Sequence, residues 1–175
     1  MIAVDEHITL RLLRNGDEYA ISENGNNIKI WNNMRDFFPH PYTLQDGIQW
    51  VERNISSNTK HNLAICYNDV AIGMIGLIPG KDIDRLSAEV GYWLGEKYWG
   101  KGIMTRAVKA FSEYIFSNFE IIRLEAGVFE KNISSQKVLE KAGFYLESIR
   151  KFAYIKNNEY INSHLYVLIK PGLKK

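Results

Sequence analysis

Two glycines that are one residue apart separate a strand pattern from a helix pattern near the middle of the chain. The segment LSAEVGYWLG at 86–95 is rich in apolar and aromatic residues, as a half-buried strand is. After the glycines, apolar residues recur at helical spacing as far as residue 115. A strand that leads into a helix in this way is typical of an α/β fold, in which helices cover a sheet.

The junction itself, YWGKGIMTRA at 98–107, is suited to hold an anion. The first amides of a helix have no intrahelical partner and lie at the positive end of the helix dipole, so they attract phosphate groups. Gly100 and Gly102 have no side chain to keep a phosphate from these amides, while Lys101 and Thr105 would add a charge and a hydroxyl donor. The alternative is that both glycines serve backbone angles only.

Two well-known phosphate-binding motifs do not fit this stretch. Lys101 is followed by Gly102 and Ile103 rather than by Ser or Thr, so the Walker A pattern is absent. No further glycine follows Gly102 at the spacing that G-x-G-x-x-G requires. Mononucleotide- and dinucleotide-binding folds are therefore disfavoured.

The rest of the chain predicts a mixed, mostly antiparallel sheet flanked by helices. Strands are predicted at 8–13, 61–67, 70–78, 86–95 and 121–129 and in a closing pair around Asn157 and Asn158, and helices at 103–118 and 133–143. Two short helices are predicted between residues 17 and 38, and DFFPHPYT at 36–43 is predicted to be a rigid loop because it contains two prolines. Thr43 and Asp46 have the spacing of a capping box at the start of another helix.

Length and charge limit the classes of function. With 175 residues we expect a single domain over 1–175, with its core at about 8–170. The net charge of +2, with both signs interspersed, gives no reason to expect nucleic acid or membrane partners. Cys66 is the one cysteine and lies in an apolar run, so we expect a buried thiol and a reducing compartment. The first residues, MIAVDEH, have no signal-peptide pattern, so we expect a cytoplasmic protein. The four histidines show no metal-ligand spacing, so no metal is expected.

Two segments together, EVGYWLGEKYWGKGIMTRA and NISSQKVLEKAGF, resemble the GCN5-related N-acetyltransferase (GNAT) superfamily, and within it the RimJ/RimL group of ribosomal-protein alanine N-acetyltransferases. DFFPHPYT and GLIPGKD add to the resemblance, which covers nearly the whole chain. It implies a single-domain fold in which two parallel strands splay apart at an acetyl-CoA site. The acetyl-CoA motif Q/R-x-x-G-x-G/A would correspond to residues 99–104, with Trp99 in place of Gln or Arg and Met104 in place of the small last residue.

The resemblance also implies which residues hold acetyl-CoA. The cofactor-binding residues would be Trp93, Leu94, Trp99, Gly100, Lys101, Gly102, Ile103, Met104, Thr105, Asn132, Ser135 and Lys137. Within this set, the amide near Leu94 would face the thioester carbonyl, and Lys137 would reach the nucleotide phosphates unless it is a solvated surface residue. From sequence alone, Asn132 and Ser135 are equally well explained as the cap of the helix that follows them.

Acetyl transfer to an amine needs a base and a proton for the departing thiolate. Glu89, the carboxylate in an otherwise apolar strand, is the candidate base, and its alternative is an ion pair with Arg85 or Arg123. Ser135 is the candidate proton donor by resemblance. Tyr154 and Tyr160 are lesser candidates.

Phe38, His40 and Tyr42 would contact the acceptor amine if their loop covers the thioester as in the family. The expected function is an acetyl-CoA-dependent N-acetyltransferase that works by direct attack in a ternary complex, on the α-amine of a protein N-terminus. The alternatives are a small amine such as a polyamine, an amino acid or an antibiotic, or a non-catalytic acyl-CoA-binding module. A homodimer is compatible with the sequence.

Overall fold

The structure is a computed structural model that describes residues 1–57 and 59–173. Within these residues the elements are β1 (Ile2–Ala3), β2 (Ile8–Arg11), α1 (Asp17–Gly25), α2 (Ile28–Trp31), α3 (Leu44–Ser57), β3 (Asn62–Tyr67), β4 (Val70–Pro79), β5 (Ser87–Leu94), α4 (Ile103–Asn118), β6 (Arg123–Phe129), α5 (Ile133–Lys141), β7 (Tyr145–Lys156) and β8 (Glu159–Ile169). Short 3-10 helices occupy Asp82–Asp84 and Glu96–Tyr98.

The strands form one sheet in the order β1-β2-β3-β4-β5-β6-β8-β7. Its recorded strand pairs are antiparallel except for β5 and β6, which are parallel and are joined through α4. This confirms the mixed, mostly antiparallel α/β sheet. The pairing of β5 with β6 runs from Ser87 opposite Arg123 to Glu89 opposite Glu125, although both strands continue beyond these residues. The parallel strands are therefore paired only over their first residues, as the resemblance implies.

The chain divides into two compact units. The first comprises Met1–Gly76 and Tyr92–Ala107, and the second comprises Leu77–Gly91 and the chain from Val108 onward. The expectation that the whole chain is one domain stays a prediction.

The core of the first unit is apolar with one buried ion pair beside it. It is formed by Leu13, Ile21, Ile30, Phe38, Tyr42, Val51, Ala64, Cys66, Ala71, Met74 and Trp93. The guanidinium of Arg11 donates two hydrogen bonds of 2.8 Å to the carboxylate of Asp17, and both residues are buried. This bidentate pair joins β2 to the first turn of α1.

In the second unit, β6 has the alternation of a strand with one buried face. Leu124, Ala126 and Val128 are buried, and the residues between them are half-buried. On α4 the buried residues Val108, Phe111 and Ile115 recur every three or four positions, which is the spacing of a core-facing helical stripe.

The turn predictions from sequence are confirmed. Asn68 and Asp69 have positive φ of 45° and 67°, and Asn157 and Asn158 have φ of 53° and 62°, as two-residue hairpin turns require. The Thr43 amide donates to Asp46 Oδ2 at 2.8 Å and the Asp46 amide donates to Thr43 Oγ1 at 3.2 Å, which is the predicted capping box of α3. The short strand β1 was not predicted. Across the described part of the chain, no helix combines the length and the apolar character that a membrane crossing needs.

Candidate functional site

The glycine stretch is a left-handed turn that leads into α4. Gly100 has φ of 73° and Gly102 has φ of 69°, values that an L side chain strains to adopt. The strand predicted at 86–95 agrees with β5, and the 3-10 helix Glu96–Tyr98, which was not predicted, lies between this strand and the glycines. The backbone angles alone therefore favour glycine at both positions. The same two residues form the turn that leads directly into the first turn of α4.

At the start of α4, backbone amides are available to a ligand, whereas the first two side chains are buried. The Arg106 amide donates to the Gly102 carbonyl at 3.2 Å, and helix geometry leaves the amides of Ile103, Met104 and Thr105 ahead of that bond without intrahelical partners. The side chains of Ile103 and Met104 are buried, at 4% and 8% exposure. Met104 therefore packs into the protein, and the amides carry the positive end of the helix dipole.

Two cations lie at this loop, and one of them was not predicted. Lys101 Nζ donates to the Lys97 carbonyl at 3.0 Å and lies 5.6 Å from the centroid of the Tyr98 ring. Arg106, which was not predicted, donates from Nη1 to the Lys101 carbonyl at 3.2 Å and from Nε to Asp5 Oδ2 at 2.9 Å. The sequence could have indicated Arg106 through its spacing, because residue 106 lies one helical turn after Gly102 and so on the same side of the helix.

Trp99 ties the loop to the end of β5. Its indole Nε1 donates to the Leu94 carbonyl at 2.6 Å, while Trp93 and Leu94 are themselves buried. On the neighbouring strand, a Cβ on Gly73 would lie 2.3 Å from the Trp93 carbonyl oxygen, so only glycine allows this close approach. The backbone is thus constrained on both sides of the Leu94 Cα, at the Trp93 carbonyl and at the Leu94 carbonyl.

Two of the three residues predicted to contact the acceptor belong to the core. Phe38 and Tyr42 are only 7% and 6% exposed, with ring centroids 5.1 Å apart, and Phe38 lies 5.8 Å from Trp93. Burial raises the pKa of Tyr42 to about 12. His40 is exposed, with its ring centroid 5.7 Å from that of Trp31, so of the three predicted residues it is the one that a ligand can reach.

In the second unit, Glu89 is half-buried and in register with Glu125 of β6. Each of the two arginines that the sequence offers as its partners also contacts other groups. Arg123 forms ion pairs with Glu125 and Glu147, and its hydrogen bond to Glu147 is the main cause that raises its pKa above the usual value, against the effect of burial. Arg85 donates to the Asp82 carbonyl at 3.0 Å.

The capping alternative for Asn132 is confirmed. Asn132 Oδ1 accepts a hydrogen bond from the Ser135 amide at 3.1 Å and from the Ser134 hydroxyl at 2.9 Å, which caps α5. Ser135 is half-buried and Lys137 is exposed. The cap uses the amide of Ser135, so the role predicted for its hydroxyl stays a prediction.

Cys66 is a buried, free thiol, as expected. Burial raises its pKa to about 11, so it is a thiol rather than a thiolate at neutral pH. Among residues 1–57 and 59–173, no three His, Cys, Asp or Glu side chains are grouped so that they could hold a metal ion.

Residues 7–145 match the acetyltransferase (GNAT) domain family. The chain is 38% identical over 85 residues to the probable N-acetyltransferase YjcK of Bacillus subtilis strain 168, a match that spans 49% of the chain and only about half, 47%, of YjcK. It is 28% identical over 173 residues to the putative ribosomal N-acetyltransferase YdaF of the same strain, spanning 95% of the chain and 93% of YdaF. The ribosomal-protein-serine acetyltransferase of Escherichia coli K12 is 34% identical over 98 residues, 55% of each protein.

Solved structures share the fold. RimL, a ribosomal L7/L12 alpha-N-protein acetyltransferase in complex with coenzyme A, aligns with a TM-score of 0.85 over 97% of both chains at 22% identity. The spermidine N-acetyltransferase of Vibrio cholerae, in complex with CoA and spermine, aligns with a TM-score of 0.78 over 95% of this chain and 97% of its own at 21% identity.

Proposed function

The chain belongs to the GNAT family of N-acetyltransferases, and from this premise we propose that it acetylates the α-amine of a peptide or protein N-terminus by direct attack on acetyl-CoA in a ternary complex. The observation that carries the proposal is the left-handed turn through Gly100 and Gly102. It leads into a helix start whose first side chains are buried and whose amides are available to a diphosphate.

Residues of the first unit would bind and orient the thioester. Bound acetyl-CoA supplies an activated acetyl group. The amides of residues 103–105 hold the diphosphate, and Arg106 and Lys101 add positive charge beside it. The Leu94 amide, in the residue whose carbonyl Trp99 holds, donates to the thioester oxygen as negative charge develops there.

Residues of the second unit would handle protons. Glu89 takes a proton from the acceptor ammonium, directly or through water, so that the amine can form the new C–N bond. As the C–S bond breaks, the Ser135 hydroxyl donates its proton to the departing thiolate. The second proton lost by the attacking nitrogen passes to solvent, and solvent returns a proton to Ser135. Cys66 takes no part, because its buried thiol is protonated at neutral pH.

Two acceptor classes remain in competition. A terminal α-amine is supported by the name of RimL, a ribosomal acceptor by that of YdaF, and a polyamine by the Vibrio cholerae enzyme. A non-catalytic acyl-CoA-binding module is disfavoured, because Glu89 and Ser135 offer a base and a donor. A homodimer and a cytoplasmic location are further proposals, which light scattering and cell fractionation would test.

The experiment is thiol release from acetyl-CoA with peptides that begin with Ser or Ala, their N-terminally blocked forms, free amino acids, spermidine and simple monoamines. Mass spectrometry of the products locates the acetyl group. The proposal predicts turnover with unblocked peptides only at the α-amine. Binding of CoA without thiol release from any amine would overturn it in favour of a binding module.

A further inference from the structure

Gly127 leaves a gap in one face of the sheet of the second unit, and three polar groups converge on it. A Cβ on Gly127 would lie 2.9 Å from the Tyr154 hydroxyl, 3.3 Å from Arg150 Nη2 and 3.3 Å from Ser163 Oγ. A side chain at this position would displace the phenol and the guanidinium. Glycine therefore lets these groups lie directly over bare backbone.

The guanidinium of Arg150 is held in place by hydroxyl groups. Nη2 donates to the Tyr154 hydroxyl at 2.8 Å and to Ser163 Oγ at 3.4 Å, and Tyr154 in turn packs 5.5 Å from the ring of Phe129. The ion pairs recorded for the described residues do not include Arg150. Its positive charge thus has no carboxylate counter-ion there, in contrast to Arg123, and an oriented guanidinium of this kind suits an oxygen acceptor on a ligand.

A pair of carboxylates lies further along the same face. Glu125 precedes Gly127 by two positions on β6, so their side-chain directions coincide and their Cα atoms are about 7 Å apart. Glu89 is in register with Glu125 on the neighbouring strand. The in-register pair Glu89 and Glu125 therefore lies two positions along β6 from Gly127, over which the guanidinium of Arg150 is held.

This spacing suits an amine that has a carbonyl next to it. In an α-amino acid or a peptide N-terminus, the nitrogen and the carbonyl oxygen are roughly 3 Å apart. With a hydrogen bond of about 2.9 Å at each end, such a group spans roughly 9 Å, which is comparable to the spacing of about 7 Å between the Cα atoms of Glu125 and Gly127. A polyamine that placed one nitrogen at Glu89 would bring its next cation toward Arg150, and like charges repel.

We propose that Arg150, positioned by Tyr154, binds the carbonyl oxygen of the first residue of the acceptor. The acceptor is then an α-amine beside a carbonyl rather than a polyamine. This inference rests on the proposed function, because it requires the amine to be at Glu89.

The test compares wild type, Arg150→Gln and Tyr154→Phe with Lys151→Gln, which removes a positive charge from the adjacent, exposed residue. The acceptors are a tripeptide amide that begins with Ser, propylamine, which lacks the carbonyl, and spermidine. Arg150→Gln is expected to lower kcat/KM for the tripeptide by about 10- to 100-fold and to leave that for propylamine unchanged. Calorimetry of the tripeptide against the enzyme with CoA should show the same loss of affinity, which requires no turnover.

Tyr154→Phe is expected to raise the KM for the tripeptide while kcat is kept, because the phenol only positions Arg150. Lys151→Gln should behave as wild type. An equal loss for the tripeptide and propylamine, or no loss at all, would overturn this inference alone. A wild-type preference for spermidine would overturn both this inference and the proposed α-amine acceptor. If wild type binds CoA and acetylates none of the three, the proposed function falls, and this inference with it.

Discussion

The indole nitrogen of Trp99 donates a hydrogen bond of 2.6 Å to the carbonyl of Leu94, five residues earlier. Trp99→Phe removes this donor and keeps an aromatic ring. We expect a loss of about 1 kcal/mol in the free energy of unfolding and a several-fold rise in the KM for acetyl-CoA, because the Leu94 peptide is no longer fixed. Trp50→Phe, on α3, is the control. Equal kinetics for the two variants would contradict the role given to Trp99.

The left-handed turn predicts a difference between two glycine-to-alanine variants. Gly102→Ala should destabilise the protein by about 1–2 kcal/mol and weaken CoA binding by at least about 10-fold, since its Cβ would be 3.1 Å from Arg106 Nη1. Gly16 has φ of 98° and no atom within 4 Å of such a Cβ. Gly16→Ala therefore shares the backbone strain and should leave CoA affinity intact, as measured by calorimetry. Parallel effects of both variants on affinity would mean that the loop does not bind the diphosphate.

The two in-register carboxylates should differ in catalysis. Glu89→Gln is expected to lower kcat by about 10²- to 10⁴-fold, the usual contribution of a general base. Glu125→Gln should have a smaller effect, because Arg123 already holds that carboxylate in an ion pair. Initial rates from pH 6 to 9 with saturating acetyl-CoA provide the comparison. A Glu89→Gln enzyme with the turnover of wild type would remove Glu89 from the mechanism.

The order of elements could be predicted from sequence because each depends on local chemistry. Asn68-Asp69 and Asn157-Asn158 adopt positive φ readily, and Thr43 with Asp46 caps a helix through groups three residues apart. The 3-10 helix at Glu96–Tyr98 was not predicted, because a single turn of three residues is too short to leave a periodic pattern in the sequence.

The residues of the candidate site could be predicted less completely than the order of elements. Which side chains lie together in the site depends on contacts between residues that are far apart in the sequence. Phe38 and Tyr42 look like exposed loop aromatics in a segment with two prolines. Phe38 nevertheless packs against Trp93, more than fifty residues away along the chain, and Tyr42 packs against Phe38. Arg150 was missed for the same reason. Its relation to Gly127 depends on the register of β7, β8 and β6, which no short motif records.

Acid should destabilise the protein through Asp69. Hydrogen bonds from Arg14, and then from Arg11, lower the pKa of this carboxyl below its ordinary value near 4. The unfolded chain therefore binds the proton more readily, so the stabilisation is present above about pH 4 and is lost as the pH falls through the folded-state pKa. Urea unfolding of wild type between pH 3 and 7 should show this loss. Asp69→Asn, which tolerates the positive φ, should flatten the dependence, and Asp84→Asn, at an exposed position, should not.

The central claim is that the acetyl group passes straight from acetyl-CoA to an amine bound at the same time. The most direct measurement is the initial rate as a function of both acetyl-CoA and an unblocked peptide, made with wild type and with Cys66→Ala. The account predicts double-reciprocal lines that intersect, the same pattern in Cys66→Ala, and no 42 Da increase in protein mass when acetyl-CoA is added alone, since ~42 Da is the mass of one added acetyl group. Parallel lines together with an acetylated enzyme that Cys66→Ala abolishes would contradict it.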